Sequence, residues 1–151
     1  MASSLDDFMA NVVTNDTHKR LDAYNGLVGY LSEPRSSLQC ENMDEFVDGL
    51  VAWMNSSNYK ISGNGLEVLS LLIDRMGERF KSHTMTVLSN AVNRLGDNHD
   101  EVRNLSQSVL LKLMHINTPQ SVWDRLMTGF SHKLWRVREE TLICLQQTIE
   151  M

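Results

Sequence analysis

"DEFVDGLVAWMNSSNYKISGNGLEVLSLLIDRM", residues 44–76, decides the fold. In its first part Phe46, Val47, Leu50, Val51 and Met54 fall at i, i+1, i+4, i+5 and i+8, one apolar stripe of an α-helix. In its last part Leu66, Leu69, Leu72, Ile73 and Met76 mark a similar face. Between them "NSSNYK" is polar and turn-forming. The stretch reads as a helical hairpin. Period-two alternation of strand length occurs nowhere in the chain. With two prolines and eight glycines in 151 residues, the whole chain reads as all-α.

The hairpin repeats. Ile61 opens its second helix after a polar loop, and Leu21, Val102 and Val137 occupy similar places, at successive spacings of 40, 41 and 35 residues. Seven residues beyond these anchors lie Val28, Val68, Val109 and Cys144, and eight beyond lie Gly29, Leu69, Leu110 and Leu145. All are apolar or small, as expected of four equivalent helices turning one face inward. The loops before the anchors are "TNDTHK", "NSSNYK", "GDNHDE" and "SHKLWR". Two helices per period of this length is the signature of HEAT or armadillo-like solenoids. The expected fold is an α-solenoid of about four HEAT-like hairpins at 5–32, 42–79, 81–116 and 118–150, in one domain spanning 1–151. Each hairpin buries its apolar face only by stacking on a neighbour. "SEPRSSLQCEN" links the first two. The last helix, "ETLICLQQTIEM", closes on an apolar face. It is expected to dock onto further residues, pair with another copy, or fray.

Composition excludes several function classes. A net charge of −5 argues against general nucleic-acid binding, which needs a broad basic surface. No apolar run approaches the roughly 20 residues that cross a bilayer, so no membrane partner is expected. "MASSLDDFMANVV" lacks a basic region followed by an apolar core, so no secretory signal is read there. Cys40 and Cys144 lie far apart, without metal-ligand spacing, and read as two reduced thiols of a cytosolic protein. His18, His83, His99, His115 and His132 include no i, i+4 pair, so neither a metal site nor a cofactor is expected. No phosphate-binding glycine loop and no activated nucleophile is present, and the chain does not read as an enzyme.

The loops carry the functional signal. Around them sit Lys19, Arg20, Lys60, Arg103, Lys133, Arg136 and Arg138, seven of the fourteen cations in an acidic chain. Stacked hairpins would align them as a basic ridge, although cations at helix N-termini run against the helix dipole. Arg103 and Arg138 have a structural alternative, pairing with an acid of a neighbouring loop such as Asp97. Asp97 and Asn98 are candidate helix caps. Tyr59 and Trp135 are candidate aromatic anchors for a partner. Trp135 precedes Val137 by two residues and so lies outside the inward stripe, where packing against the adjacent loop is the alternative. Trp53 and Trp123 fall at apolar spacing and belong to the core.

"VDGLVAWMNSSNYKI", "NAVNRLGDNHDEVR", "SVWDRLMTGF" and "SHKLWRVREE" resemble, in the same order, the N-terminal TOG domain of the CLASP family of microtubule-associated proteins. The resemblance runs from about residue 5 to residue 151. It implies an array whose intra-repeat loops form one edge, with that edge binding tubulin or the microtubule lattice. It further implies suppression of microtubule catastrophe, promotion of rescue, and a cytoplasmic, cytoskeletal location at plus ends, spindles and kinetochores. On this reading Lys19, Tyr59, Lys60, Arg103, Lys133, Trp135 and Arg136 form the tubulin-binding edge. Two departures stand out. The chain supplies four hairpins where the family usually has six. It also has Asn15, Asp16 and Thr17 in the first loop, where many tubulin-binding TOG domains place a tryptophan. The alternatives are a HEAT scaffold holding a peptide in a groove lined by its second helices, and a pseudo-TOG array that binds another protein.

Overall fold

The structure, a computed structural model, describes residues 2–126 and 135–149. Eight α-helices are present, with no strand among the described residues: α1 (Met9–Val13), α2 (Thr17–Ser32), α3 (Met43–Met54), α4 (Tyr59–Met76), α5 (Thr84–Arg94), α6 (Asp100–Ile116), α7 (Pro119–Leu126) and α8 (Trp135–Ile149). Short 3-10 turns, Leu5–Phe8 and Gly77–His83, precede α1 and α5. The chain forms two compact units, Met1–Met76 and Gly77–Met151. No helix of the described residues is long and apolar enough to cross a membrane.

In the first unit α1 lies on α3, and α2 lies on α4. The direction of stacking follows from three contacts. Near the helix starts, Leu5 donates its N–H to the Gln39 carbonyl at 3.1 Å. Where α1 and α3 end, Trp53 Nε1 donates to the Val12 carbonyl at 3.0 Å. Where α2 and α4 end, Arg75 Nη1 donates to the Leu31 carbonyl at 3.2 Å. Starts meet starts and ends meet ends, so the two hairpins run in parallel. Both intra-hairpin loops therefore emerge at the same end of the unit.

The quoted stretch builds most of this unit's core. Phe46, Val47, Leu50, Trp53 and Met54 of α3, and Ile61, Leu66, Leu69, Leu72 and Ile73 of α4, are all buried. Asn42 caps α3 by accepting the Glu45 N–H at 3.1 Å, and Asp44 and Glu45 complement its dipole. Two glycines allow the close packing. A Cβ on Gly65 would lie 2.8 Å from both the Met54 nitrogen and Trp53 Cβ, and one on Gly49 would lie 2.7 Å from Val12 Cγ1. Gly77 stops α4 by adopting φ 56°, the left-handed conformation that helix C-termini favour.

The register of α2 corrects the sequence reading. Leu21 and Val28 are half-buried and Gly29 is exposed. The inward stripe is instead Arg20, Ala23, Leu27 and Leu31. Arg20 is the true counterpart of Ile61, and Ile61 follows it by 41 residues, as Val102 follows Ile61. An apolar anchor was sought where a buried arginine stands.

In the second unit α5 packs on α6, and α8 packs on both. Val87, Leu88, Ala91 and Val92 of α5 face Val102, Val109, Leu110 and Leu113 of α6 in the buried interior, with Val137 and Cys144 from α8. Buried hydroxyls find carbonyls: Ser106 Oγ donates to Ala91 at 2.5 Å, and Thr141 Oγ1 to Val137 at 2.6 Å. Both cysteines are free thiols, and burial pushes that of Cys144 up to about 11. Trp123, expected in the core with Trp53, is only half-buried. It lies on a short, polar helix that covers one side of the unit.

Candidate partner-binding loops

The loop between α1 and α2 is held from within. Thr14 Oγ1 accepts the Asp16 N–H at 3.1 Å, and Asp16 accepts the Lys19 N–H at 3.0 Å as the cap of α2. That last bond is the main cause of an Asp16 carboxyl held below its ordinary range. Arg20 Nε donates to the Thr14 carbonyl at 2.8 Å, and the residue is only 8% exposed. Arg20, counted in the basic ridge by sequence, thus lies beneath the loop. Lys19 stands exposed at the same helix start.

The loop between α3 and α4 is locked by its own side chains. Ser56 Oγ accepts the Asn58 N–H at 3.1 Å, and Asn58 Oδ1 accepts the Lys60 N–H at 3.0 Å. The Asn55 and Ser56 N–H groups return to the Val51 and Trp53 carbonyls, each at 3.0 Å. On this fixed backbone Tyr59 is 42% exposed and Lys60 is exposed beside it. Neither Lys19 nor Lys60 forms an ion pair with another described residue. The first unit thus brings Lys19, Tyr59 and Lys60 to one end.

In the second unit the cation that opens α6 is used inward. Arg103 Nη1 donates to the Asp97 carbonyl at 2.6 Å, its guanidinium pairs with Asp100, and Nε lies 3.5 Å from Glu140 of α8. Gln107 bonds the same Glu140 carboxylate. The side chain of Arg103 is only 15% exposed. The cap residue of α6 is His99, in place of the expected Asp97 or Asn98. The Asp97 carboxylate instead accepts the His99 N–H at 2.8 Å. Arg138 is exposed on α8. Trp135 and Arg136 are the first two residues of α8, with side chains outside the described residues, and Lys133 lies outside them altogether.

One device recurs in the two units. Arg20 and Arg103 each reach back six residues to a loop carbonyl and close the loop. For Arg103 the sequence offered this inward role, with Asp97 as the partner, and the structure joins the two; Arg20 was counted as outward charge. Among the described residues no group of histidine, cysteine, aspartate or glutamate side chains could hold a metal ion.

Stacked helical hairpins with locked, exposed loops define a HEAT-type α-solenoid module. No protein-family model matches the chain. CLIP-associating protein 1 of Xenopus tropicalis is 39% identical over the whole chain, which spans 11% of that protein's length. The crystal structure of the MAST/Orbit N-terminal domain superposes with a TM-score of 0.91 at 36% identity, over 99% of this chain and 67% of that one. A structure of crescerin, described as using a TOG domain array to regulate microtubules in the primary cilium, matches with a TM-score of 0.71 at 28% identity, over 91% of this chain and 56% of that one. The chain belongs to the CLASP family and is similar to the N-terminal domain of MAST/Orbit.

Proposed function

We propose that the chain is a non-enzymatic tubulin-binding module, which meets αβ-tubulin or the microtubule lattice through the loops that open its second helices. The observation that carries this reading is the α3–α4 loop, where Tyr59 and Lys60 are exposed on a backbone fixed by Asn58 and Ser56. A partner meeting preordered side chains loses less conformational entropy on binding. An aromatic ring with a polar end is a favoured anchor. Tubulin is acidic, so Lys19 and Lys60 would speed encounter in a salt-sensitive way. In the second unit Lys133, Trp135 and Arg136 serve the same role, and Arg103 acts by bracing its loop. Such a module belongs in the cytoplasm, on the cytoskeleton at microtubule ends and the spindle.

A second reading, a pseudo-TOG that binds a different protein, is favoured by the first loop. There Asn15, Asp16 and Thr17 offer no aromatic, and the Asp16 carboxylate is occupied as a cap. Gel filtration of the chain with αβ-tubulin, alongside cosedimentation with stabilised microtubules, separates the two. Co-elution or cosedimentation that weakens as salt rises supports the tubulin reading. Absence of both at micromolar concentration overturns it in favour of a different partner.

A further inference from the structure

The second half of α2, away from the two intra-hairpin loops, borders a groove that the first unit leaves unfilled. Its volume is about 840 Å³, and it is lined from three stretches of chain, within residues 2–8, 25–30 and 33–37. Ligand pockets commonly measure about 300–1,000 Å³. Gly26 and Gly29 of α2 line it together with the rings of Phe8 and Tyr30, which meet edge to face with centroids 5.4 Å apart.

The sides of the groove are pinned. On one side Ser3 donates its N–H to Asp7 at 2.7 Å. On the other, Arg75 Nη1 donates to the Leu31 and Glu33 carbonyls at 3.2 and 3.0 Å, and Nη2 donates to the Ser36 carbonyl at 2.6 Å. The Tyr30 hydroxyl donates to the Ser37 carbonyl at 2.6 Å. A groove fixed in this way needs little further ordering when it is occupied.

Gly29 is the residue that the fold leaves unexplained. Glycine inside a helix is unfavourable relative to alanine. Gly26 has a packing reason, since a Cβ there would lie 3.3 Å from Phe8 Cε1. A Cβ on Gly29 would meet nothing within 4 Å. Its bare backbone lines the groove and is exposed, which suits an occupant that approaches α2 closely.

Charge selects the occupant. Arg75 takes carbonyls at the end of α2 and so offsets the negative end of the helix dipole. The Glu33 carboxylate accepts the Arg35 N–H at 3.2 Å. Arg35 is exposed at the groove and forms no ion pair with another described residue. We propose that this groove is a second protein-binding site, which takes an extended peptide segment with a bulky apolar side chain over Gly29 and a neighbouring carboxylate on Arg35. The site uses neither intra-hairpin loop and stands apart from the tubulin reading.

A displayed library of random heptapeptides, selected on the wild-type chain, tests it alongside two variants. Gly29→Leu fills the groove and is expected to melt no lower than wild type, because its Cβ meets no neighbour. Arg35→Glu reverses the charge at an exposed position. The expected peptides share Phe, Trp or Leu beside Asp or Glu, and they shift the amide resonances of Gly26, Gly29 and Tyr30. Each variant is expected to raise their Kd about tenfold or more. Failure to enrich any peptide, or equal affinity for wild type and Gly29→Leu, overturns the site. A basic consensus, or unchanged affinity in Arg35→Glu, overturns the proposed acidic partner.

Discussion

The loop entering α4 and the loop entering α6 hold corresponding places in their hairpins, yet they use their cations in opposite ways. Lys60 is exposed beside Tyr59 on a loop closed by the amide of Asn58. Arg103 is folded back onto the Asp97 carbonyl and joined to Asp100 and Glu140. Each loop has a side chain that accepts a turn N–H, Asn58 in one and Asp97 in the other. The difference lies in the cation: the Lys60 side chain takes no part in its turn, whereas the Arg103 guanidinium reaches the Asp97 carbonyl, Asp100 and Glu140. A basic residue after a HEAT-type loop is therefore not by itself a sign of an interface.

Variants can sharpen or break this comparison. The largest effect is expected beneath the first unit's loops. Trp53→Ala removes a wholly buried ring and the donor to Val12, and it is expected to cost about 3–5 kcal/mol in chemical denaturation. Arg103→Ala removes the guanidinium that the Asp97 carbonyl, Asp100 and Glu140 share. It is expected to cost about 1.5–3 kcal/mol, with tubulin affinity disturbed only as far as the loop loosens. Lys60→Ala is expected to do the reverse, changing stability by less than about 0.5 kcal/mol while weakening tubulin binding. A large loss of stability from Lys60→Ala, or none from Arg103→Ala, would erase the contrast.

The smallest effect concerns the cap of α2. The Asp16 carboxyl is held below its ordinary value of 3.8 by the Lys19 N–H. Its contribution is therefore present above that value and lost as pH falls through the lower folded-state value. Asp16→Ala should lower the melting temperature at pH 7, and the gap from wild type should narrow as pH falls below 3.8. A gap that stays constant over this range would show that the cap does not depend on the charge.

Much of the fold was legible because α3 and α4 announce themselves. Phe46, Leu50, Leu66 and Leu69 recur at helical spacing, and all four are buried. Tyr59 and Lys60 were legible for the related reason that they stand just outside that stripe. The register of α2 was not. Its inward position is held by Arg20, whose stem is buried while its guanidinium is satisfied by Thr14, and hydropathy cannot distinguish such an arginine from a solvated one. The bracing of Arg103 was legible as far as Asp97. Its other partner, Glu140, was not, because it is 37 residues away in sequence and nothing in the spacing of a single chain pairs the two.

The central claim is that the exposed side chains of the α3–α4 loop bind tubulin while those of the α5–α6 loop hold the fold together. The most direct measurement is the equilibrium affinity for αβ-tubulin of the wild-type chain, Tyr59→Ala/Lys60→Ala and Arg103→Lys, each at low and moderate salt. The account predicts salt-sensitive binding by wild type, loss of most of that binding in the double variant at unchanged stability, and reduced stability with largely retained affinity for Arg103→Lys. Equal affinity of the double variant and wild type would contradict it.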